Sequence, residues 1–261
     1  MQTAARTTYS VSGLKAHLLG EQLLRQGKYA AAADAFQAAV SQLQHPHIVP
    51  LLCAGETDGL PYFTMPFVRG ESLRARLAKG GELPIAEAVR ILREVSLALG
   101  YAHDDNIVHR DIKPENVLIS GGSAVVTDFG VANALTASGS EGASVTSMGV
   151  ALGTPAYMAP EQATADPHTD HRADIYALGV MGYEMLAGTT PFGGRPPQAT
   201  LAAHVTEKPE NIMRRRGTIP PHLAAIVMRC LAKRAADRPQ SAHEVMVLLD
   251  SLSTPSGELE P

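Results

Sequence analysis

The chain has 261 residues, 45% of them apolar, and a formal net charge of −4 with both signs interspersed. That length buries a full core as one large domain or two lobes, and the weak, mixed charge gives no reason to expect nucleic acid or an anionic membrane surface as partner. Cys53 and Cys230 lie far apart and fit buried reduced thiols rather than a disulfide, and the ten histidines show no metal-ligand spacing beyond the loose His45-Pro46-His47.

The first thirty residues lack a basic start followed by an apolar run, so no secretory signal is expected. Residues 14–43 read as two helices broken at Gln26-Gly27-Lys28. Leu19, Leu23 and Leu24 mark one apolar face; Tyr29, Ala32, Ala33, Phe36, Ala39 and Val40 mark another at helical spacing. The stretch looks like one tetratricopeptide unit or an Ala-rich hairpin, and either must pack on something else. Short strands are expected at His47 to Leu52 and Tyr62 to Met65, joined by turn chemistry at Glu56-Thr57-Asp58-Gly59. Leu83-Pro84 opens a long helix with Val89, Leu92, Val95 and Leu99 three or four apart. Two strands flank Gly121-Gly122, at Val117 to Ile119 and Ala124 to Val126.

The segment Thr136 to Met148 is rich in Ser, Thr and Gly and reads as a flexible loop. Ile175, Leu178, Met181 and Met185 line a helix that Gly188 ends. That apolar stretch, Ile175 to Gly188, is interrupted by Glu184 and is too short to span a bilayer, so a soluble, cytoplasmic protein is expected. Pro220-Pro221 precedes a helix carrying Leu223, Ile226, Val227 and Leu231, and a last helix runs from about Ser241 to Leu249. Residues 253–261 form a tail rich in Pro, Ser, Gly and Glu.

The densest chemistry lies in His109-Arg110-Asp111-Ile112-Lys113-Pro114-Glu115-Asn116, which puts a carboxylate, an ammonium and an amide within six positions. Such a set can hold a hydroxyl nucleophile, a phosphate and a metal ion together. Asp128-Phe129-Gly130 follows, then Ala159-Pro160-Glu161. Each triplet alone is a common turn sequence. In this order and spacing the three resemble the protein kinase family, in its bacterial, eukaryotic-like serine/threonine branch.

The resemblance implies an α+β, protein-kinase-like fold and a role for each matched residue. Asp111 would accept the proton of the attacking hydroxyl and Lys113 would steady the γ-phosphate of ATP. Asn116 and Asp128 would hold Mg²⁺, a hard ion suited to oxygen ligands. Lys113 two places after Asp111, and Thr154 in the substrate-docking loop, favour serine/threonine over tyrosine substrates. Met65, Pro66, Phe67 and Val68 fall at the adenine hinge, which is read through backbone groups, and Leu118 at the pocket floor; ordinary core packing explains these five equally well. His109, Phe129 and Gly130 belong to the motif frame. Asp174 would anchor the backbone of the catalytic segment, and Glu161 with Arg238 would form an internal ion pair. Arg110 implies activation by a phosphate in the 136–148 loop, with Thr146 and Ser147 as first candidates.

One part of the pattern is missing. The family's small lobe begins with a Gly-rich loop, a strand lysine and a helix glutamate. No Gly-x-Gly-x-x-Gly precedes His45; only Lys15 and Lys28 precede Lys79, and the glutamate's place falls near Phe36. The resemblance therefore covers roughly Leu43 to Leu252. Four segments follow: 1–44, a helical hairpin capping or replacing the lost strands; 45–68, remnant strands and hinge; 69–252, a mainly helical large lobe; and 253–261, the tail. Three readings stay open: a pseudokinase that binds or scaffolds through the large lobe and hairpin, a working kinase borrowing Lys28, or a rearranged gene. Partners are a protein substrate or binding partner, with no nucleic acid and no membrane segment; the sequence leaves oligomeric state open.

Overall fold

The computed structural model describes residues 43–57, 60–129 and 155–252. The expected hairpin, the 136–148 loop, Gly130, Thr154 and the tail lie outside them.

The expected strand over 47–52 is corrected. Only an isolated parallel bridge, Ile48 to Val126, forms there, and the strand starts later. Pro50 removes a ladder donor in the middle of that run, which disfavours a continuous strand. Strand β1 (Cys53–Thr57) pairs antiparallel with β2 (Leu60–Thr64), Cys53 opposite Thr64 and Thr57 opposite Leu60, so the chain reverses where turn chemistry was expected. A second sheet has the order β3 (Glu71–Ser72), β4 (Val117–Ser120), β5 (Ser123–Val126). Gly121 and Gly122 both take positive φ in the β4–β5 turn, a conformation that costs glycine little.

Helix α1 (Leu73–Gly80) is capped by Ser72, whose Oγ accepts from the Ala75 N–H at 3.1 Å. Helix α2 (Ile85–Asp104) follows Pro84 as expected and buries Ala88, Ile91, Leu92, Val95, Leu99 and Ala102 along one stripe. Val89 lies at the edge of that stripe, only partly buried. The short α3 (Pro160–Ala163) leads to α4 (Arg172–Ala187), the centre of the molecule.

Every residue of α4 from Ala173 to Leu186 is buried. A helix apolar all round has no solvent face and must be surrounded. Burial of each Leu or Ile contributes about 1.5–3 kcal/mol. Gly188 ends α4 in the left-handed conformation, φ 71°, with its N–H on the Glu184 carbonyl. Helices α5 (Pro197–Thr206), α6 (Pro221–Cys230) and α7 (Ala242–Ser251) complete the lobe. Gly179 lets α4 and α6 meet: a Cβ there would lie 2.6 Å from Cys230 Cβ. Cys230 is a buried free thiol whose burial pushes its pKa up to about 12. Among the described residues no helix is long and apolar enough to cross a membrane.

Candidate active site

The site begins with one buried acid. Asp174 lies in the first turn of α4, where a carboxylate suits the helix dipole, and is 1% exposed. Its two oxygens accept the backbone N–H groups of His109 (2.8 Å) and Arg110 (2.7 Å). His103, near the end of α2, lies 2.9 Å from the same carboxylate. Burial opposes ionisation of Asp174, but the hydrogen bond with His103 and the neighbouring imidazole and backbone groups hold its carboxyl below the usual range. Asp174 thereby fixes a backbone that would otherwise be costly: Arg110 sits at φ 69°, a left-handed conformation unusual for a side-chain-bearing residue.

From that anchor the chain turns so that three side chains meet. Lys113 Nζ lies 2.6 Å from Asp111 Oδ2. The Asn116 amide nitrogen donates to the Asp111 carbonyl at 2.8 Å and to its carboxylate at 3.2 Å. Pro114 to Asn116 form one 3₁₀ turn, and the chain leaves it directly into β4.

The strands then carry the second motif to the first. The Thr127 N–H donates to the Asn116 carbonyl at 3.0 Å, extending the β4–β5 pairing past Val117 opposite Val126. His109 Nε2 lies 2.8 Å from the Thr127 carbonyl, and its ring meets Phe129 edge-on at 4.7 Å. Asp128 follows at φ 65°, also left-handed. The turn at 109–116 and the acid at 128 thus share one neighbourhood.

The expected hinge reaches the same place. The Thr127 hydroxyl contacts Met65 Sδ at 3.5 Å. Pro66 is exposed and Val68 half-buried, while Phe67 is 89% exposed. Leu118 is half-buried between the buried Val117 and Ile119, so it points away from the core.

Glu161 and Arg238 pair as a fork, 2.6 and 2.8 Å, with the Arg238 side chain fully buried. Arg238 also donates to the carbonyls of Ala232, Arg172 and Lys233 and stacks 4.9 Å from the Tyr176 ring. This joins α3, the start of α4 and the segment before α7.

Sequence reasoning missed three participants. His103 supports Asp174 from α2. Gln162 accepts from the Ala159 N–H (3.0 Å) and donates to the Arg110 carbonyl (2.9 Å), tying α3 to the 109–116 segment; a Gln three residues after a helix start was the available signal. Arg74 on α1 bridges Glu115 and Glu184, to 2.8 and 2.7 Å. Its partners lie 41 and 110 residues away in sequence, and no local pattern connects them.

Residues 31–247 match the family model described as protein kinase domain. The match starts inside the stretch 1–44 and so reaches further upstream than the motifs alone. Over 208 residues the chain is 39% identical to the serine/threonine-protein kinase PknB of Mycolicibacterium smegmatis, covering 78% of this chain and 33% of that protein. Over 216 residues it is 39% identical to the serine/threonine-protein kinase PknD of Mycobacterium tuberculosis, covering 82% and 32%. The chain spans about a third of the length of these relatives. The crystal structure of the Mycobacterium tuberculosis PknI kinase domain is similar with a TM-score of 0.64 and 26% identity, over 93% of this chain and 84% of that one. Its C20A_R136A double mutant gives a TM-score of 0.67 at 25% identity, over 90% and 83%.

Proposed function

This chain belongs to the protein kinase family, with bacterial serine/threonine kinases among its relatives, and on that premise we propose that it transfers the γ-phosphate of ATP to serine or threonine hydroxyls of proteins. The observation that carries the reading is the convergence of Asp111, Lys113 and Asn116 on one turn, pinned by Asp174 and joined by backbone to Asp128.

The residues fit a magnesium–nucleotide. Asn116 spends its amide nitrogen on Asp111, which leaves its oxygen as the free acceptor. Asp128 adds a carboxylate whose hydrogen-bond contact is a long 3.4 Å one from Thr127. Among the described residues no cluster of three or more His, Cys, Asp or Glu could cage a metal alone. Two oxygen donors from the protein suit Mg²⁺, which keeps waters and takes phosphate oxygens for the rest. When bound, magnesium–ATP supplies the phosphoryl group and neutralises its charge.

The chain's own residues do the remainder. Asp111 accepts the proton of the incoming hydroxyl on a carboxylate oxygen. Lys113, 2.6 Å from that carboxylate, places a positive charge where phosphate charge develops. Asn116 holds Asp111 in its orientation and, with Asp128, holds the metal. Met65 to Val68 offer backbone groups to adenine, with Leu118 beneath it.

The 44 residues before His45 carry no Gly-x-Gly-x-x-Gly and no lysine in a Val/Ile-rich strand. Losing one fixed charge at a transition state typically costs ~3–4 kcal/mol, or roughly 10²–10³ in rate, so transfer is impaired in this chain. The same absence favours a second reading, a pseudokinase that binds partners without turnover.

Radiolabel transfer at millimolar ATP and Mg²⁺ tests the choice. Label on the chain or a generic basic protein, abolished in Asp111→Asn, is the expected result. No label above that variant removes the kinase reading. A thermal shift with ATP, with and without Mg²⁺, then tests nucleotide binding on its own.

A further inference from the structure

Arg214-Arg215-Arg216 is the one run of three consecutive basic residues in the chain, and a hydroxyl follows two places later at Thr218. The structure folds that run back toward the hydroxyl. Ile212 to Arg214 form a 3₁₀ turn. Arg216 to Ile219 form a second turn, closed by the Ile219 N–H on the Arg216 carbonyl at 3.3 Å. Within it Arg216 Nε donates to Thr218 Oγ1 at 3.2 Å. Ile219 is buried and anchors the turn, whereas Arg214, Arg215, Gly217 and Thr218 are exposed. A Cβ at Gly217 would meet nothing within 4 Å, so the turn stands open to solvent.

None of this charge serves the chemistry proposed above. Arg215 pairs with Glu210 at 2.6 Å, and Arg216 Nε is shared between Thr218 and Glu82, the latter at 3.4 Å. Both carboxylates are exposed, and such surface pairs contribute little and exchange readily. Arg216 also acts as a strap. Its Nη1 donates to the Leu83 carbonyl at 2.8 Å and the Leu186 carbonyl at 3.3 Å, tying the entry of α2 to the end of α4. One guanidinium thus holds the core with one nitrogen and Thr218 with another. A phosphoryl group on that hydroxyl brings close to two negative charges and three strong acceptors within four residues of three guanidiniums. Glu82 can swing into water as the phosphate takes its place. A cationic run just before an exposed hydroxyl also suits an enzyme whose substrate site is anionic. We propose that Thr218 is a phosphorylation site for a separate protein kinase, and that Arg214, Arg215 and Arg216 receive the phosphate, which tightens the strap to α2 and α4. In the transfer, Thr218 Oγ1 bonds to the γ-phosphorus of ATP and the bond from that phosphorus to the β,γ-bridging oxygen breaks. ADP leaves, and the hydroxyl proton passes to the enzyme's base.

Two experiments on the full chain test this. In the first the acceptor is the Asp111→Asn chain, so that no label comes from the site proposed above. The added enzyme is a protein kinase selected on peptides for arginine two and three places before the acceptor. With Mg²⁺ and γ-labelled ATP, the folded chain is expected to take a phosphate that mass spectrometry maps to Thr218. Thr218→Val should lose it, and Arg215→Gln should slow its addition roughly tenfold. No phosphate at Thr218 of the folded chain, under conditions that label a peptide of residues 210–222, overturns the site.

The second experiment needs no kinase, because phosphothreonine is installed at position 218 during synthesis of the chain. At low salt its Tm should exceed that of the unmodified chain by ~2–4 °C, and most of the gain should vanish at about 0.5 M NaCl, where exposed charges are screened. Arg216→Lys keeps a charge but not the planar fork, and should lose most of the gain. If that variant is too unstable to melt cleanly, Arg214→Gln with Arg215→Gln, both on the surface, should lose about half of it. An unchanged or lower Tm, or a gain that salt and these variants leave intact, overturns the strap. Neither experiment uses transfer by this chain, so failure of the kinase reading would leave both results as they are.

Discussion

The two sides of the candidate site are held in opposite ways. The side built from residues 103–129 is fixed by buried charge: Asp174 takes two backbone N–H groups and His103, and His109 and Asn116 bond to Thr127. On the hinge side, the described contacts include one antiparallel hairpin, the Leu52 N–H on the Thr64 carbonyl and a long contact from Thr127 to Met65, and Leu52 and Phe67 are 64% and 89% exposed. The groups proposed to do the chemistry are thus anchored to the helical lobe. Preorganised charge needs rigid support, whereas a segment that offers backbone atoms to a ligand can do so from a loosely held strand end.

Substitutions should reproduce that asymmetry. Asp174→Ala strands two backbone donors and His103, and hydrogen bonds to a charged acceptor are worth about 1.5–3 kcal/mol each. A loss of about 4–6 kcal/mol in urea unfolding is expected on that basis. A loss below about 1 kcal/mol would show that the 109–116 segment holds its own shape. Next comes Arg238→Ala, which leaves the Glu161 carboxylate and three carbonyls without their donor. Breaking a buried pair from one side typically costs about 3–5 kcal/mol. Calorimetry should show a large drop in Tm with the hinge sequence unchanged.

Acid should weaken the helical side third. His204 is buried against Tyr176 and Phe192, with its ring nitrogens on the Tyr176 hydroxyl and the Ala156 carbonyl. Burial, then the charge of Lys233, lowers its pKa to about 4. Unfolded, the ring titrates near its ordinary value of ~6.5, so the unfolded chain binds the extra proton first. The stability is fully present above ~6.5 and is lost as pH falls from there toward 4, by up to about 3 kcal/mol. Lys233, which burial and Arg238 lower to about 8, titrates above this window. Unfolding free energies across that range should slope in the wild type and flatten in His204→Gln. The smallest effect belongs to the hinge: Phe67→Ala should change stability by less than about 0.5 kcal/mol and leave the ATP thermal shift unchanged. A large change there would break the comparison, because it would make the hinge side as tightly built as the other.

Much of this was legible in the residues. Helices α2, α4, α6 and α7 followed from apolar spacing, from prolines at their starts and from Gly188, because those signals act within one or two turns. The β4–β5 turn followed from Gly121-Gly122. The strand expected over 47–52 shrinks to a single bridge, Ile48 to Val126, because Pro50 removes a ladder donor in the middle of the run. Helix α5 has no apolar stripe to announce it and was not foreseen.

What the sequence determined by itself was the inventory: the carboxylate, ammonium and amide of residues 111–116, the acid at 128, the family they resemble and the helical lobe around them. Only the tertiary structure decided how that inventory is held. A buried helix brings Asp174 beneath one turn and Glu184 beside another, so that His103, Arg74 and Tyr157 become partners of residues they never approach along the chain. Hydrogen bonds and ion pairs depend on distance in space, and in a folded chain that distance is set by the packing of α4 rather than by spacing in the sequence.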